Sequence, residues 1–252
     1  MGKLRHIAFI SPEPKKLSDF YQKFFGLEEV KVFPSGSRMV IDGLFNLAFL
    51  QQHVAKAEVV GTHRADGSEA NQVQGIAHYG FMVDSLDEAV AKLPPTLERG
   101  KSPQVSGGVS GPEAARPAEF RFIDPWGNNV DISSRGYLGR EEKRLPGVRL
   151  AVVQVVDPEK ACEFYKFQFD LEVVERKSDG SILLSDGTVK LMLTRKQTLD
   201  HGGIQYFGIQ VDNLAAVRQR LVDGGVQVSS VDGAANQIRI SDPEGNQVVI
   251  SD

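Results

Sequence analysis

Asp124-Pro125-Trp126-Gly127-Asn128-Asn129-Val130-Asp131 returns later in the chain as Asp242-Pro243-Glu244-Gly245-Asn246-Gln247-Val248-Val249. Two further pairs keep the same order. Phe20-Tyr21 matches Phe164-Tyr165, and Gly75-Ile76-Ala77-His78-Tyr79-Gly80 matches Gly203-Ile204-Gln205-Tyr206-Phe207-Gly208. Self-similarity in fixed order decides architecture before any secondary structure is read: one unit has been used twice. The differences between the copies then point to chemistry. His6 stands as far before Tyr21 as Leu150 does before Tyr165, His78 faces Tyr206 in the alignment, and Asp131 faces Val249. The first half therefore holds two imidazoles and a carboxylate where the second holds Leu, Tyr and Val. It is also longer between landmarks, in two polar, Gly-rich stretches at 53–74 and 100–119. Long loops of this kind in compact domains commonly serve as lids or binding segments.

A chain of 252 residues suits two compact domains, and 41% hydrophobic with 25% charged residues is a globular composition. A net charge of −4 with scattered Lys and Arg gives no footprint for nucleic acid. The single cysteine, Cys162, excludes an intramolecular disulfide and reads as a small buried apolar residue. No apolar run approaches the roughly 20 residues that span a bilayer. The start Met1-Gly2-Lys3-Leu4-Arg5-His6 lacks a signal-peptide core, and His6 stands where N-myristoylation wants Ser or Thr. The expectation is a cytoplasmic protein without membrane contact.

Each half reads as two strand-then-helix units. Residues 4–10 alternate as a strand, Ser11-Pro12-Glu13-Pro14 turns into a helix, and Leu17, Phe20, Tyr21 and Phe24 form its apolar stripe before Gly26 stops it. Short strands are expected at 29–33, 38–41 and 46–51. The same plan returns from 76, 148 and 204, with strands also at 120–123 and 129–133. Polar residues 134–144 read as the connection between halves. Strand alternation puts His6 on one face with Leu4, Ala8 and Ile10. His78 shares its face with Gly80 and Met82, and Asp131 shares its face with Asn129 and Ser133. One cupped sheet brings His6, His78 and Asp131 together if Ile7, Phe9, Tyr79, Phe81, Val130 and Ile132 pack under helices.

Around these landmarks the readings stay open. His53 and His63 fall in the first insertion as solvated loop residues, and His201 falls in a turn. Trp126 is a surface or interface anchor. Arg121 either neutralises an anionic substrate or makes a cross-strand ion pair. Tyr206, Gln154, Gln210 and Ser251 line a second cup that either binds a small molecule or is simply filled.

His6 in a first strand, Asp19-Phe20-Tyr21 and Phe25-Gly26-Leu27 in the helix, His78, and Phe122-Ile123-Asp124-Pro125-Trp126-Gly127-Asn128 before Asp131 together resemble the vicinal oxygen chelate superfamily. That superfamily includes glyoxalases, bleomycin- and fosfomycin-resistance proteins, epimerases and extradiol dioxygenases. The resemblance implies an α+β fold of tandem paired βαβββ modules forming two cupped mixed sheets, with helices on their outer faces. It implies a metal-bearing domain at 1–135, a linker at 136–146, and a degenerate domain without metal ligands at 147–252. It implies metal ligands His6, His78 and Asp131, a facial triad with open positions. By the same rule Phe49 takes the fourth ligand position, which leaves no four-ligand glyoxalase site. Gln51 on the same face is a less direct substitute. Phe49, Gln51, Met82, Asn129 and Arg121 are then expected to line the substrate pocket. The family's carboxylate is normally Glu, so Asp131 is one methylene shorter. The implied cofactor is Fe(II) or Mn(II), with zinc or nickel as alternatives. The implied partner is a small substrate with adjacent oxygens, and a homodimer is a candidate assembly. The favoured activity is extradiol-type ring cleavage. A glyoxalase-type lyase or epimerase, or a non-catalytic antibiotic-binding protein, are the rivals.

Overall fold

The computed structural model describes residues 1–52, 75–97, 119–196 and 203–252, and among these described residues fifteen strands form two mixed sheets accompanied by four helices. His53, His63 and His201 lie outside the described residues, as does nearly all of both long insertions. The first half runs β1 (Lys3–Ser11), α1 (Pro14–Phe25), β2 (Glu28–Val32), β3 (Arg38–Ile41), β4 (Asn46–Gln51), β5 (Gly75–Met82), α2 (Leu86–Ala91), β6 (Glu119–Ile123) and β7 (Asn129–Ser133). The second runs β8 (Gly147–Val155), α3 (Pro158–Phe169), β9 (Glu172–Arg176), β10 (Ile182–Ser185), β11 (Lys190–Arg195), β12 (Gly203–Gln210), α4 (Leu214–Asp223), β13 (Ser229–Val231), β14 (Ala234–Ser241) and β15 (Gln247–Ser251). Strand order is β2-β3-β4-β1-β5-β7-β6 in one sheet and β13-β14-β15-β12-β8-β11-β10-β9 in the other. The expected α+β architecture of repeated modules is the one observed.

Local chemistry sets the elements. Pro14 opens α1 with its φ already helical, and Leu17, Phe20, Tyr21 and Phe24 bury the expected stripe. Gly26 ends the helix in the left-handed region at φ 66°, where its amide bonds back to Gln22. In each sheet the two first strands of the paired units lie antiparallel at the centre, β1 with β5 and β8 with β12. Each is flanked by a parallel last strand: β4 and β7 in the first sheet, β11 and β15 in the second.

One apolar core runs through both halves, because the helix-bearing faces of the two sheets meet. Phe9 meets Phe207 edge-on, Phe81 stacks on Phe169 at 3.8 Å, and Trp126 packs against Phe164 as an anchor between halves. The twice-written Asp-Pro-x-Gly-Asn phrase supplies the clasp. Tyr21 of α1 donates its hydroxyl to Asp242 of the second half at 2.9 Å, and Tyr165 of α3 donates to Asp124 of the first. The Asp-Gly turns repeat the exchange at the other end. Asp42 accepts from Val148 N and Arg149 Nη1, while Asp186 accepts from Leu4 N and Arg5 Nη1. Removing the Tyr165 hydroxyl takes one donor from the buried Asp124 carboxylate, which keeps the Trp126 and Asn128 amides and the Asn128 side chain, and takes the partner from the buried Tyr79 hydroxyl. Tyr165→Phe is therefore expected to cost about 1–3 kcal/mol, read as a lower urea midpoint at unchanged slope.

Candidate metal centre

β1, β5 and β7 bring His6, His78 and Asp131 to one point on the cup face. The register does this directly: Ala8 pairs with His78 across β1–β5, and Gly80 pairs with Asp131 across β5–β7. His6 Nε2 lies 3.3 Å from His78 Nε2, and His78 Nε2 lies 3.2 Å from Asp131 Oδ2. All three side chains are buried, Asp131 completely. Ile7, Phe9, Tyr79, Phe81, Val130 and Ile132 are on the opposite, helix-packed face.

Arg121 is the fourth member. It sits opposite Asp131 in the β6–β7 ladder and grips the carboxylate with two bonds, Nε to Oδ1 at 2.6 Å and Nη2 to Oδ2 at 2.7 Å. The same Nη2 is 3.2 Å from His78 Nε2. Of the two roles left open for Arg121, the cross-strand ion pair is the one present. Only 6% exposed, the guanidinium supplies the positive charge amid the imidazoles and the carboxylate. Two residues unremarked in the sequence complete the arrangement. Asn46, paired with His6 across β1–β4, accepts a hydrogen bond from His6 Nδ1 at 2.7 Å through Oδ1. That bond fixes the tautomer and leaves the Nε2 lone pair facing inward. Tyr137, from the segment expected to be a polar connection, stacks on His6 at 4.5 Å with the rings 3° from parallel. Gly80 makes room for it, since a Cβ there would stand 2.5 Å from the Tyr137 hydroxyl oxygen.

The protonation states follow from burial and charge. Desolvation holds His6 down at about 4, despite the raising influence of Asp131. Desolvation and then Arg121 push His78 well below its ordinary value. Burial would raise Asp131, but Arg121 and the imidazoles outweigh it and keep the carboxyl below its usual range. Near neutrality the site thus has two neutral imidazoles and one carboxylate, the states in which these groups bind metal.

Three expectations change. Phe49 does not face the cup. It stacks on Tyr21 of α1 at 5.6 Å and lies fully inside the core. The cause is turn length. Asp124 N bonds Asn128 O four residues on, whereas Asp42 N bonds Phe45 O three residues on. One residue fewer in the turn flips every side chain of β4 to the other face. The position equivalent to Asp131 is Ala48, which pairs with Ala8 as Asp131 pairs with Gly80. Gln51 shares the Phe49 side and donates its side-chain amide to Pro12 O at 3.1 Å, away from the cup. Leu4 joins the core instead of the His6 face, because the register slips between Leu4 and His6 and leaves Arg5 as the extra residue. Asn129 lies beside the cup, donating to Ala77 O at 3.4 Å, and Met82 packs near Gly136, one residue before Tyr137.

Two of the three separations, His6 to His78 and His78 to Asp131, suit neighbouring ligands of one divalent ion. Adjacent ligands at about 2.1 Å on an octahedral metal stand roughly 3 Å apart, close to both measured separations. No three His, Cys, Asp or Glu side chains among the described residues form a ready cage, and Arg121 holds both oxygens of Asp131.

The profile of the Glyoxalase/Bleomycin resistance protein/Dioxygenase superfamily matches residues 3–132 and 147–250, so the chain belongs to that superfamily, once in each half. Among solved structures, the 2,3-dioxygenase LapB from Pseudomonas sp. KL28 superposes with a TM-score of 0.68 at 12% identity, over 99% of this chain and 91% of that one. The Mn(II)-bound glyoxalase from Novosphingobium aromaticivorans gives 0.70 at 13% identity, over 100% and 83%. Homoprotocatechuate 2,3-dioxygenase from Arthrobacter globiformis gives 0.66 at 13%, over 99% and 79%. At such identities the likeness concerns the fold. No curated protein sequence gives a significant match. No helix among the described residues is long and apolar enough to cross a membrane.

Proposed function

We propose that the first cup is the divalent-metal centre of an enzyme acting on a small substrate with two adjacent oxygen atoms. The observation that carries this reading is the meeting of two imidazole nitrogens and one carboxylate at separations of 3.3 and 3.2 Å. His6, His78 and Asp131 would hold Fe(II) or Mn(II), leaving positions open for substrate. When bound, such an ion stabilises an enolate or phenolate oxygen as a Lewis acid, and as iron it also gives access to dioxygen. Asn46 keeps His6 in the metal-binding tautomer, and Tyr137 covers that imidazole from one side. Asp131, now held by Arg121 through both oxygens, would be a ligand of the ion, and the Arg121 guanidinium would then be available to an anionic substrate. Extradiol ring cleavage is the favoured reaction, supported by dioxygenases of the same fold. A lyase or epimerase is the runner-up, and it would also need a general base beside the metal.

One observation favours a second reading. The Arg121–Asp131 pair already neutralises the carboxylate, as a metal-free cup for sequestering small molecules would require. Elemental analysis of anaerobically prepared protein after incubation with Fe(II) or Mn(II) separates the two. Near-stoichiometric metal in the wild type, lost in His78→Ala, is expected. Unchanged metal content in His78→Ala would defeat the ligand assignment, and metal-free wild type with tight ligand binding would favour sequestration. Oxygen uptake with catechols tests the reaction itself.

A further inference from the structure

The second cup keeps one charged residue of the first. Arg239 on β14 sits opposite Val249 on β15, in the ladder position where Arg121 meets Asp131. Around it the other site residues have been exchanged: Leu150 stands for His6, Tyr206 for His78, Met192 for Ala48 and Val249 for Asp131. Among the described residues the Arg239 side chain has no hydrogen bond or ion pair, and its Nε is buried without a partner. Its guanidinium lies over the Tyr206 ring, 5.5 Å from the centroid. Val152, Leu183 and Met192 form an apolar floor beneath, with Leu150 and Tyr206 packed against them. The Asp179 carboxylate acts on Tyr206 through space, but it accepts the Ser181 amide at 2.9 Å and forms no ion pair with Arg239.

We propose that the second cup binds a small apolar carboxylate, with Arg239 pairing the anion and the floor and Tyr206 ring covering the hydrocarbon. An arginine fork suits a carboxylate bidentately, and a partly desolvated guanidinium strengthens that bond. The first cup supplies the comparison: there a carboxylate from the neighbouring strand fills the same fork from within. In the second cup no carboxylate among the described residues pairs with Arg239, so the proposed anion comes from outside. This site needs no metal and stands apart from the reading of the first cup.

The test is calorimetric titration of the full chain with benzoate, using benzamide as the uncharged match, while NMR follows the Tyr206 ring protons. Saturable benzoate binding is expected, with benzamide at least about tenfold weaker. Arg239→Met should weaken benzoate by about tenfold or more while leaving the first cup's metal content unchanged. Val249→Asp should rebuild the internal ion pair and also suppress binding. No saturable binding of benzoate by the wild type, or equal affinity in folded Arg239→Met, would overturn the proposal.

Discussion

Asp131→Ala is expected to destabilise the metal-free protein by about 3–5 kcal/mol, a large part of the total stability of an ordinary domain. The carboxylate is fully buried and Arg121 is 6% exposed, so the variant leaves a guanidinium in a dry site with two imidazoles that cannot neutralise it. Most of the loss comes from the stranded cation, not from the attraction removed. The double variant Asp131→Leu with Arg121→Met should therefore recover most of it, since apolar pairs replace buried ion pairs at little cost. Urea unfolding in chelator measures both. A single variant within about 1 kcal/mol of wild type would mean that the buried pair does not exist in solution. The metal reading adds a second signature. Arg121→Met removes the competing cation, so added Fe(II) should raise its midpoint more than that of the wild type, as a ligand of the folded state does.

The fold was legible because backbone requirements leave repeated marks. Asp124 and Asp242 each organise a turn and accept a tyrosine from the other half, so both the aspartates and Tyr21 and Tyr165 recur in sequence. The convergence of His6, His78 and Asp131 was legible for a related reason, since period-2 alternation fixes the face once strands are placed. It failed where a single residue changes the count. The tight turn at Asp42 and the extra residue at Arg5 each reversed a face, which cost the placement of Phe49, Gln51 and Leu4. Tyr137 was hidden in a polar stretch because its role depends on a tertiary contact, the space left by Gly80. Asn46 carried no signal until β4 was laid beside β1. Arg121 and Arg239 did carry one, each standing three residues before its Asp-Pro turn, but their consequence depends on what the next strand places opposite.

Acid should destabilise the metal-free protein in two stages, and the histidines act first. Folded His6 titrates near 4, below its value of about 6.5 in the unfolded chain, and His78 is shifted the same way. Between these values the unfolded chain binds protons that the folded chain excludes, so stability rises with pH across the window and falls as pH drops through it. His6 alone accounts for about 3 kcal/mol between pH 6.5 and 4, taken as an order of magnitude. Asp131 acts lower down. Its depressed value contributes stability that is present above about pH 4 and is lost as the pH falls further, through its folded titration. Urea midpoints from pH 7.5 to 4.5 should decline steeply below 6.5. Substituting Asn for His6, which keeps polarity without a titrating ring, should remove about one proton from that slope. A wild-type midpoint that stays level from pH 7 to 5 would show that both imidazoles are solvated and protonated in the folded state, which the packing of Tyr137 and Asn46 around His6 opposes. Bound metal should deepen the decline, because protons then compete with the ion for the same nitrogens. Repeating the series with and without Mn(II) therefore measures the burial of the pair and its ligand role in one experiment.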